Sequence, residues 1–304
     1  MDEVWRGIPV TDEALTQCIK SLRRALGDDA GRPRFIETVP KHGYRFIAPV
    51  EPAAVAPTPV QPRPGRWRDV LLLGAAGTVG GGVAAFFGGL VYGFAGASQP
   101  LQPGLGAISI LLVILCLTII VGLIGGLGVS FGIAVATAGA RRDWQWSVVG
   151  GAIGGMLIGA IVKLLGVDAF NLLFGRSPAG ITGALEGALI GAAVGLGAWL
   201  ASRTRHKRRG ISYAAACGAI AGAVIPLIGG RLMGGSLQLL SQTFRGSRLR
   251  LDQLGMLVGE EHFGPISQVV TGALEGALFS AFVVGAILFA ERSLNPISRE
   301  SEQV

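Results

Sequence analysis

The sequence predicts a mainly α-helical fold, a polytopic membrane bundle of about six spans with repeated hairpins, preceded by a short α+β segment. Half of the 304 residues are hydrophobic, 15% are charged and the mean hydropathy is +0.56, unlike an average soluble protein. Glycine contributes 49 residues, and membrane spans tolerate glycine because small residues let helices approach closely. Six apolar runs are long enough to cross a hydrocarbon core of about 30 Å: 69–95, 107–139, 146–166, 180–201, 211–230 and 268–290.

The first 50 residues have the pattern of a soluble domain. From Thr11 to Leu26 the apolar residues recur at helical spacing, which predicts one amphipathic helix. Two extended runs, 34–39 and 44–50, flank a turn sequence, which predicts a β-hairpin. The following stretch is rich in proline and favours an extended cytoplasmic linker. The predicted domain organisation is therefore 1–50 soluble, 51–68 linker, 69–292 transmembrane and 293–304 cytoplasmic tail.

The soluble segment resembles a known DNA-binding family. Its text VWRGIPVTDEALTQCIKSLRRALGDD, followed by RPRFIETVPKHGYRFIAPV, is similar to the recognition helix and wing of OmpR/PhoB-type winged-helix regulators. In that family the helix enters the major groove and the wing lies along the backbone and minor groove. By position, the resemblance implies groove-facing roles for Thr16, Gln17, Lys20, Ser21 and Arg24, and places Arg23, Thr38, Lys41 and Arg45 near phosphates. Short polar or bidentate groups suit base edges, whereas positive charge suits phosphates.

The resemblance covers about 50 residues, which is the C-terminal half of such a domain. We therefore expect the amino-terminal sheet and first helix of the domain to be missing before Met1. The order of winged-helix head, proline-rich linker and membrane part resembles membrane-anchored regulators of the ToxR/CadC type. The resemblance implies DNA as a partner, and a homodimer is an expectation because winged-helix regulators often bind repeated sites as pairs. Membrane lipid is the other expected partner.

Two functions remain open at this point. One is a membrane-anchored, DNA-binding transcriptional regulator whose glycine-rich multi-span domain is an anchor or a sensor. The other is a small, repeat-built transporter or channel-like membrane protein with a vestigial DNA-binding fragment.

The distribution of basic residues predicts the orientation. Arginines precede the first apolar run and follow the second, and five basic residues follow the fourth between Arg203 and Arg209. The loop at 96–106 carries no charge. Loops rich in basic residues thus alternate with loops that have few of them, as the positive-inside rule expects. We expect a multi-pass protein of the bacterial inner membrane with both termini in the cytoplasm.

An internal repeat places an acidic residue at the same point of two hairpins, 146–201 and 211–290. The stretches 181–189 and 270–278 share eight consecutive residues, which include Glu186 and Glu275. Both acids are expected about five residues inside their spans, where an unpaired carboxylate is costly and usually functional. Lys163 and Arg231 are expected near the outer ends of the preceding helices, so the pattern predicts ion pairs Lys163–Glu186 and Arg231–Glu275. Such pairs would either clamp the helices or respond to external pH or a ligand.

The remaining reactive residue types do not form a recognisable site. The three cysteines lack metal-type spacing, and the three histidines are far apart in predicted loops: Cys18, Cys116 and Cys217; His42, His206 and His262. We therefore predict no catalytic residues, no metal site and no cofactor, so the protein is not expected to be an enzyme. The glycines at 183, 187, 191 and 195 form a stripe with four-residue spacing that is typical of close helix packing.

Overall fold

The computed structural model describes residues 12–49, 66–97, 107–139, 143–175, 177–178, 183–204, 206–244, 249 and 251–294. The chain divides into two compact units, residues 1–62 and 63–304. The linker predicted at 51–68 and the tail predicted at 293–304 lie almost entirely outside the described residues.

The described part of the first unit contains one helix and one β-hairpin, as the sequence predicts. Helix α1 spans Asp12–Leu26, and strands β1 (Ile36–Val39) and β2 (Gly43–Phe46) pair antiparallel. Helix α1 ends in a Schellman motif: Gly27 has φ +64°, and the amide of Asp28 donates to the carbonyl of Arg23 at 2.9 Å. Glycine adopts this left-handed conformation without a steric penalty, so Gly27 fixes where the helix stops.

The described part of the second unit is helical throughout its regular elements. It contains α2 (Arg66–Ala97), α3 (Ala107–Gly139), α4 (Trp144–Phe174), α5 (Ala184–Ser202), α6 (Lys207–Leu227), α7 (Met233–Thr243), α8 (Asp252–Leu257) and α9 (Pro265–Leu294). Six of these helices, all except α7 and α8, are long and apolar enough to cross a membrane. They correspond to the six predicted runs, but α4 continues to Phe174 rather than ending at 166, and α5 begins at Ala184 rather than at 180.

The glycine stripes lie where helices cross in backbone contact. A Cβ atom placed on Gly155 would overlap the carbonyl oxygen of Gly187, and one placed on Gly187 would overlap that of Gly155. Gly151 and Gly191 stand in the same reciprocal relation one turn along the α4–α5 crossing. Larger side chains would force these helices apart, so the glycines are required for the observed packing.

The two repeated hairpins pack in different registers. Gly155 of α4 faces Gly187 of α5, whereas the corresponding Gly222 of α6 faces Gly272 of α9, one helical turn away from the position equivalent to Gly187. The two repeated sequences therefore form helix crossings of the same kind that differ in register by one turn.

The two repeated acids also lie at different distances from the starts of their helices. Glu186 lies in the first turn of α5, whereas α9 begins at Pro265, so Glu275 lies about three turns inside it. The expectation of equal depth from the helix start is wrong, because the chain before Glu275 continues the helix and the chain before Glu186 does not.

The chain between α6 and α9 forms the short helices α7 and α8. An 11-residue helix such as α7 is about 17 Å long and too short to span a bilayer. Side chains from this region form a buried cluster with the ends of α2 and α3: Tyr92, Ala95, Ile114, Leu237, Leu251, Leu254 and Phe263. This cluster closes one end of the bundle.

Candidate functional site

One side of α1 presents a continuous polar face. Its members recur at i, i+3, i+4 and i+7, the spacing that places residues on one side of a helix, and all are exposed: Gln17, Lys20, Ser21 and Arg24. Thr16 adjoins this face, and its hydroxyl lies 3.4 Å from the hydroxyl of Tyr44 on β2. The structure thus brings together all five residues predicted to face the DNA groove.

Arg23 has a structural role that the sequence did not reveal. Its Nη2 donates to the carbonyl oxygen of Ile36 at 2.8 Å and to Thr38 Oγ1 at 3.0 Å. Its guanidinium carbon also lies 5.9 Å from the ring centre of Tyr44. Arg23 therefore holds the hairpin against α1. Thr38, also predicted to lie near phosphates, is one of its hydrogen-bond partners.

The hairpin displays two further cations. Arg45 pairs across the strands with Glu37 at 2.6 Å, and both side chains are partly exposed; exposed pairs of this kind contribute only about 0–1 kcal/mol, so a phosphate can compete for the arginine. Lys41 is exposed at the tip with φ +63°. Pro40 precedes it in a turn closed by a hydrogen bond from His42 to Val39 at 3.0 Å, the arrangement in which proline favours the turn.

Asp28 connects the end of α1 to the start of β1. Its Oδ1 accepts the amides of Arg34 at 2.7 Å and Phe35 at 3.3 Å, and its Oδ2 accepts the amide of Ile36 at 2.9 Å. The hydrogen bond from the Arg34 amide is the largest influence, and it lowers the pKa of Asp28 below its ordinary value. The first role of Asp28 is at the end of α1, where its amide donates to the carbonyl of Arg23. Its second role depends on the fold of the following loop.

The apolar side of this unit is only partly covered. Leu22 and Leu26 of α1 are 50% and 41% exposed, and Phe46 and Ile47 of the hairpin are 53% and 40% exposed. Ile36, at 4%, lies in the interior. The predicted apolar face of α1 therefore exists, but much of it remains accessible within the described residues.

In the second unit, Glu275 caps a helix. Its Oε2 accepts the amide of Met233 at 2.8 Å, and its Oε1 accepts the amide of Gly234 at 2.9 Å and the hydroxyl of Tyr92. Met233 and Gly234 begin α7, whose first amides have no partner within the helix. The hydrogen-bond donors to Glu275 are thus neutral groups rather than Arg231, the partner that the sequence predicted.

Glu186 caps its own helix. Its Oε2 accepts the amide of Gly183 at 2.9 Å, directly before α5. Lys163 lies close by, since a Cβ on Gly183 would be 3.3 Å from the Lys163 ammonium. Among the described residues, no ion pair of 4.0 Å or less joins Lys163 to Glu186. Lys163 and Glu186 therefore lie near the same helix end without forming the predicted ion pair, and the Glu186 carboxylate is hydrogen-bonded to the backbone.

Both acids line one cavity of about 300 Å³. Its walls come from α2, α3, α4, α5, α9 and the start of α7, and its polar side chains include Tyr92, Thr118 and Ser236. Among the described residues, the lining includes Glu186 and Glu275 but no lysine, arginine or histidine. The sequence repeat marked the two acids, but only the fold shows that they share a cavity.

The similarity to known proteins lies in the N-terminal segment. Residues 1–46 match the family described as "Transcriptional regulatory protein, C terminal". The segment is 50% identical over 52 residues to the "Cholera toxin transcriptional activator" of Vibrio cholerae, which is 16% of this chain and 18% of that protein. It is 45% identical over 62 residues to "Transcriptional regulator HilA" of Salmonella typhimurium, 20% of this chain and 11% of that protein. It is 45% identical over 51 residues to "Transcriptional activator CadC" of Escherichia coli, 16% of this chain and 10% of that protein.

The chain thus spans less than a fifth of the length of each of these relatives. No solved structure matches the chain. All three relatives are described as regulators or activators of transcription, and the match covers the predicted recognition helix and wing. The N-terminal segment of this chain is an OmpR/PhoB-type winged-helix segment of the transcriptional regulatory protein C-terminal family.

Proposed function

We propose that the protein is a membrane-anchored, DNA-binding transcriptional regulator whose six-helix unit is its anchor or sensor. The observation that carries the proposal is the exposed polar face of α1, from Gln17 to Arg24, within a segment half identical to a transcriptional activator. The proposed location is the bacterial inner membrane, with both termini in the cytoplasm.

In this proposal α1 reads bases and the hairpin contacts the DNA backbone. Lys20 and Arg24 suit guanine, and Gln17 suits adenine, while Thr16 and Ser21 supply short hydroxyl groups. Lys41 and Arg45 are exposed on the hairpin and suit phosphates. Arg23 and Thr38 act mainly by fixing the hairpin against α1, since they bond to each other.

The proposed orientation is supported by the described basic residues. Arg68 lies at the start of α2, Arg203 follows α5, and Lys207, Arg208 and Arg209 open α6. If these helices cross the bilayer in alternating directions, all three helix ends lie on the same side. Basic residues favour the cytoplasmic side, so this orientation would leave the winged-helix segment on the side of the membrane where DNA is.

The test is a selection of bound sequences from a random double-stranded DNA pool by the full chain in lipid nanodiscs. We expect the wild-type chain to enrich a motif, and Lys20→Ala and Arg24→Ala to weaken or broaden it. The matched control is Arg32→Ala, which removes an exposed arginine outside α1 and is expected to preserve the motif. Failure of the wild-type chain to enrich any motif would contradict the proposal.

The cavity lined by Glu186 and Glu275 favours a second candidate, a small transporter or channel-like protein. That candidate predicts solute flux into proteoliposomes that depends on these acids, with no sequence-selective DNA binding by the same preparation.

A further inference from the structure

We propose that the cavity between the repeated hairpins binds a small lipophilic cation, such as a protonated alkylamine. Its ammonium group would lie at Glu186 and its apolar body against the cavity wall. The binding site is inferred from the cavity itself, whereas its use as the input of a regulator rests on the proposed function.

The size and the wall of the cavity suit a small, mainly apolar ligand. Its volume of about 300 Å³ is at the lower end of the range for small-molecule sites. Val121, Val129, Ile190 and Phe279 contribute apolar side chains, and several glycines contribute bare backbone. An alkyl chain can bury its surface here without leaving a polar group unpaired.

The polar groups of the lining select the charge of the ligand. Two glutamates line a cavity whose described lining has no cationic side chain. A carboxylate inside a membrane protein is costly unless a partner compensates it. An anionic ligand would add repulsion, whereas an ammonium ion supplies both an opposite charge and hydrogen-bond donors. The cavity is therefore suited to a cation.

The two acids differ in their capacity to accept a ligand. Glu275 already receives three hydrogen bonds, from Tyr92, Met233 and Gly234. Glu186 receives one from the Gly183 amide at Oε2, and no described residue donates to its Oε1. The ligand ammonium is therefore assigned to Glu186, and Glu275 contributes a second negative group within the same cavity.

The basic residues near the acids lie at the edge of this arrangement. Lys163 runs over Gly183 before α5, and Arg231 runs beside Gly235 near the start of α7. Neither belongs to the described cavity lining. They can offset part of the negative charge from outside while leaving the interior face of Glu186 available to a ligand.

The cavity also lies where a signal from outside the cell would arrive. It is lined by the later part of α2, the middle of α4 and the first half of α5, whereas Arg68 and Arg203 lie at the opposite ends of α2 and α5. In the proposed orientation this is the external half of the bundle. A ligand that contacts α5 and α9 together can favour one arrangement of the two hairpins over another.

The test uses the purified full chain in a neutral detergent and three probes of equal chain length: octylamine, octanol and octanoate. Isothermal titration calorimetry at neutral pH measures each affinity. We expect octylamine to bind at least tenfold more tightly than octanol, and octanoate to bind most weakly. Glu186→Gln, which keeps an acceptor for the Gly183 amide, is expected to weaken octylamine binding at least tenfold and to leave octanol binding unchanged.

A cavity-filling variant tests the same site independently, so that the proposal can be checked even if the Glu186→Gln protein misfolds. Gly88 lines the cavity, and a Cβ there would meet no atom within 4 Å, so Gly88→Leu is expected to abolish octylamine binding. Gly166 has the same open surroundings but does not line the cavity, so Gly166→Leu is the matched control and should bind normally.

Two outcomes overturn the proposal. Equal affinities for octylamine and octanol, unchanged by Glu186→Gln, would show a pocket for lipid chains rather than for a cation. Octylamine binding that survives Gly88→Leu would place the probe in detergent or elsewhere on the protein. Because the assay contains no DNA, its failure would leave the DNA-binding proposal standing, and the reverse also holds.

Discussion

Tyr92 on α2 donates its hydroxyl hydrogen to the carboxylate of Glu275 on α9, and this carboxylate also accepts the first amides of α7. The Glu275 side chain thus joins three helices, α2, α7 and α9. The tyrosine is only 3% exposed, so few substitute partners are available to its hydroxyl group. This contact links the short helix α7 to the long helices α2 and α9.

Loss of this contact should loosen α7. Glu275→Ala leaves the amides of Met233 and Gly234 without acceptors, and we expect faster hydrogen exchange across the first turn of α7. Tyr92→Phe removes one hydrogen bond, with a loss of about 1–2 kcal/mol in the free energy of unfolding. The measurement is hydrogen–deuterium exchange by mass spectrometry on the full chain in detergent.

Glu186→Ala is the matched comparison for the Glu275 variant. It should speed exchange at the start of α5 and leave α7 protected, because Glu186 accepts the Gly183 amide. Identical exchange changes in the two variants would show that the repeated acids have equivalent roles, contrary to the structure.

Adjacent arginines on α1 should behave differently. Arg23→Ala removes the donor to Ile36 and Thr38 and is expected to destabilise the first unit by about 1–3 kcal/mol. Arg24→Ala removes an exposed side chain and should leave stability within about 0.5 kcal/mol while weakening DNA binding. Proteolysis rates of the first unit, together with DNA affinity, separate the two effects; equal proteolysis rates would refute the tethering role of Arg23.

Glycine at the α4–α5 crossing should be irreplaceable. Gly155→Val places a side chain against the backbone of Gly187, where no flexible group can yield. We expect a loss of about 1–3 kcal/mol or more, measured as a lower thermal midpoint in detergent. Gly166→Val, which adds the same side chain to α4 in open surroundings, should unfold close to the wild-type temperature; similar losses in both variants would argue against the contact.

The first unit should lose stability in acid through Asp28. Backbone hydrogen bonds lower the pKa of its folded-state carboxyl group, so the carboxylate is the form that stabilises the fold. This contribution is fully present above the ordinary pKa of about 3.9 and is lost as the pH falls through the lower folded value. Protection factors of the Ile36 amide should fall over that range in the wild-type chain, whereas Asp28→Ala should show low protection at every pH.

The local elements of the fold were predictable because their causes are local. Apolar spacing from Ala14 to Leu26 specifies α1, and Pro40 with Gly43 specifies the turn of the hairpin. Each of the six apolar runs is about as long as a helix that crosses a bilayer. The family resemblance then identified the face of α1 that we propose contacts DNA.

The long-range contacts were not predictable in the same way. Arg23 and Lys20 are both basic residues of one helix, and only the position of β1 makes the former a tether. Glu275 lies 42 residues after Met233 in sequence, and no repeat or spacing rule indicates that it caps α7. The one usable signal was the repeated acid itself, which marked Glu186 and Glu275 but suggested charged partners in place of backbone amides.

The most direct test of a membrane-anchored DNA-binding regulator is the affinity of the full chain in nanodiscs for its selected DNA and for a scrambled sequence, measured over a salt series. The account predicts tighter binding of the selected DNA and a linear fall of log affinity with log salt. Lys41→Ala should reduce the salt slope by about 1, and Arg24→Ala should cost about 1–3 kcal/mol on the selected DNA. Equal affinity for both sequences, unchanged in both variants, would contradict it.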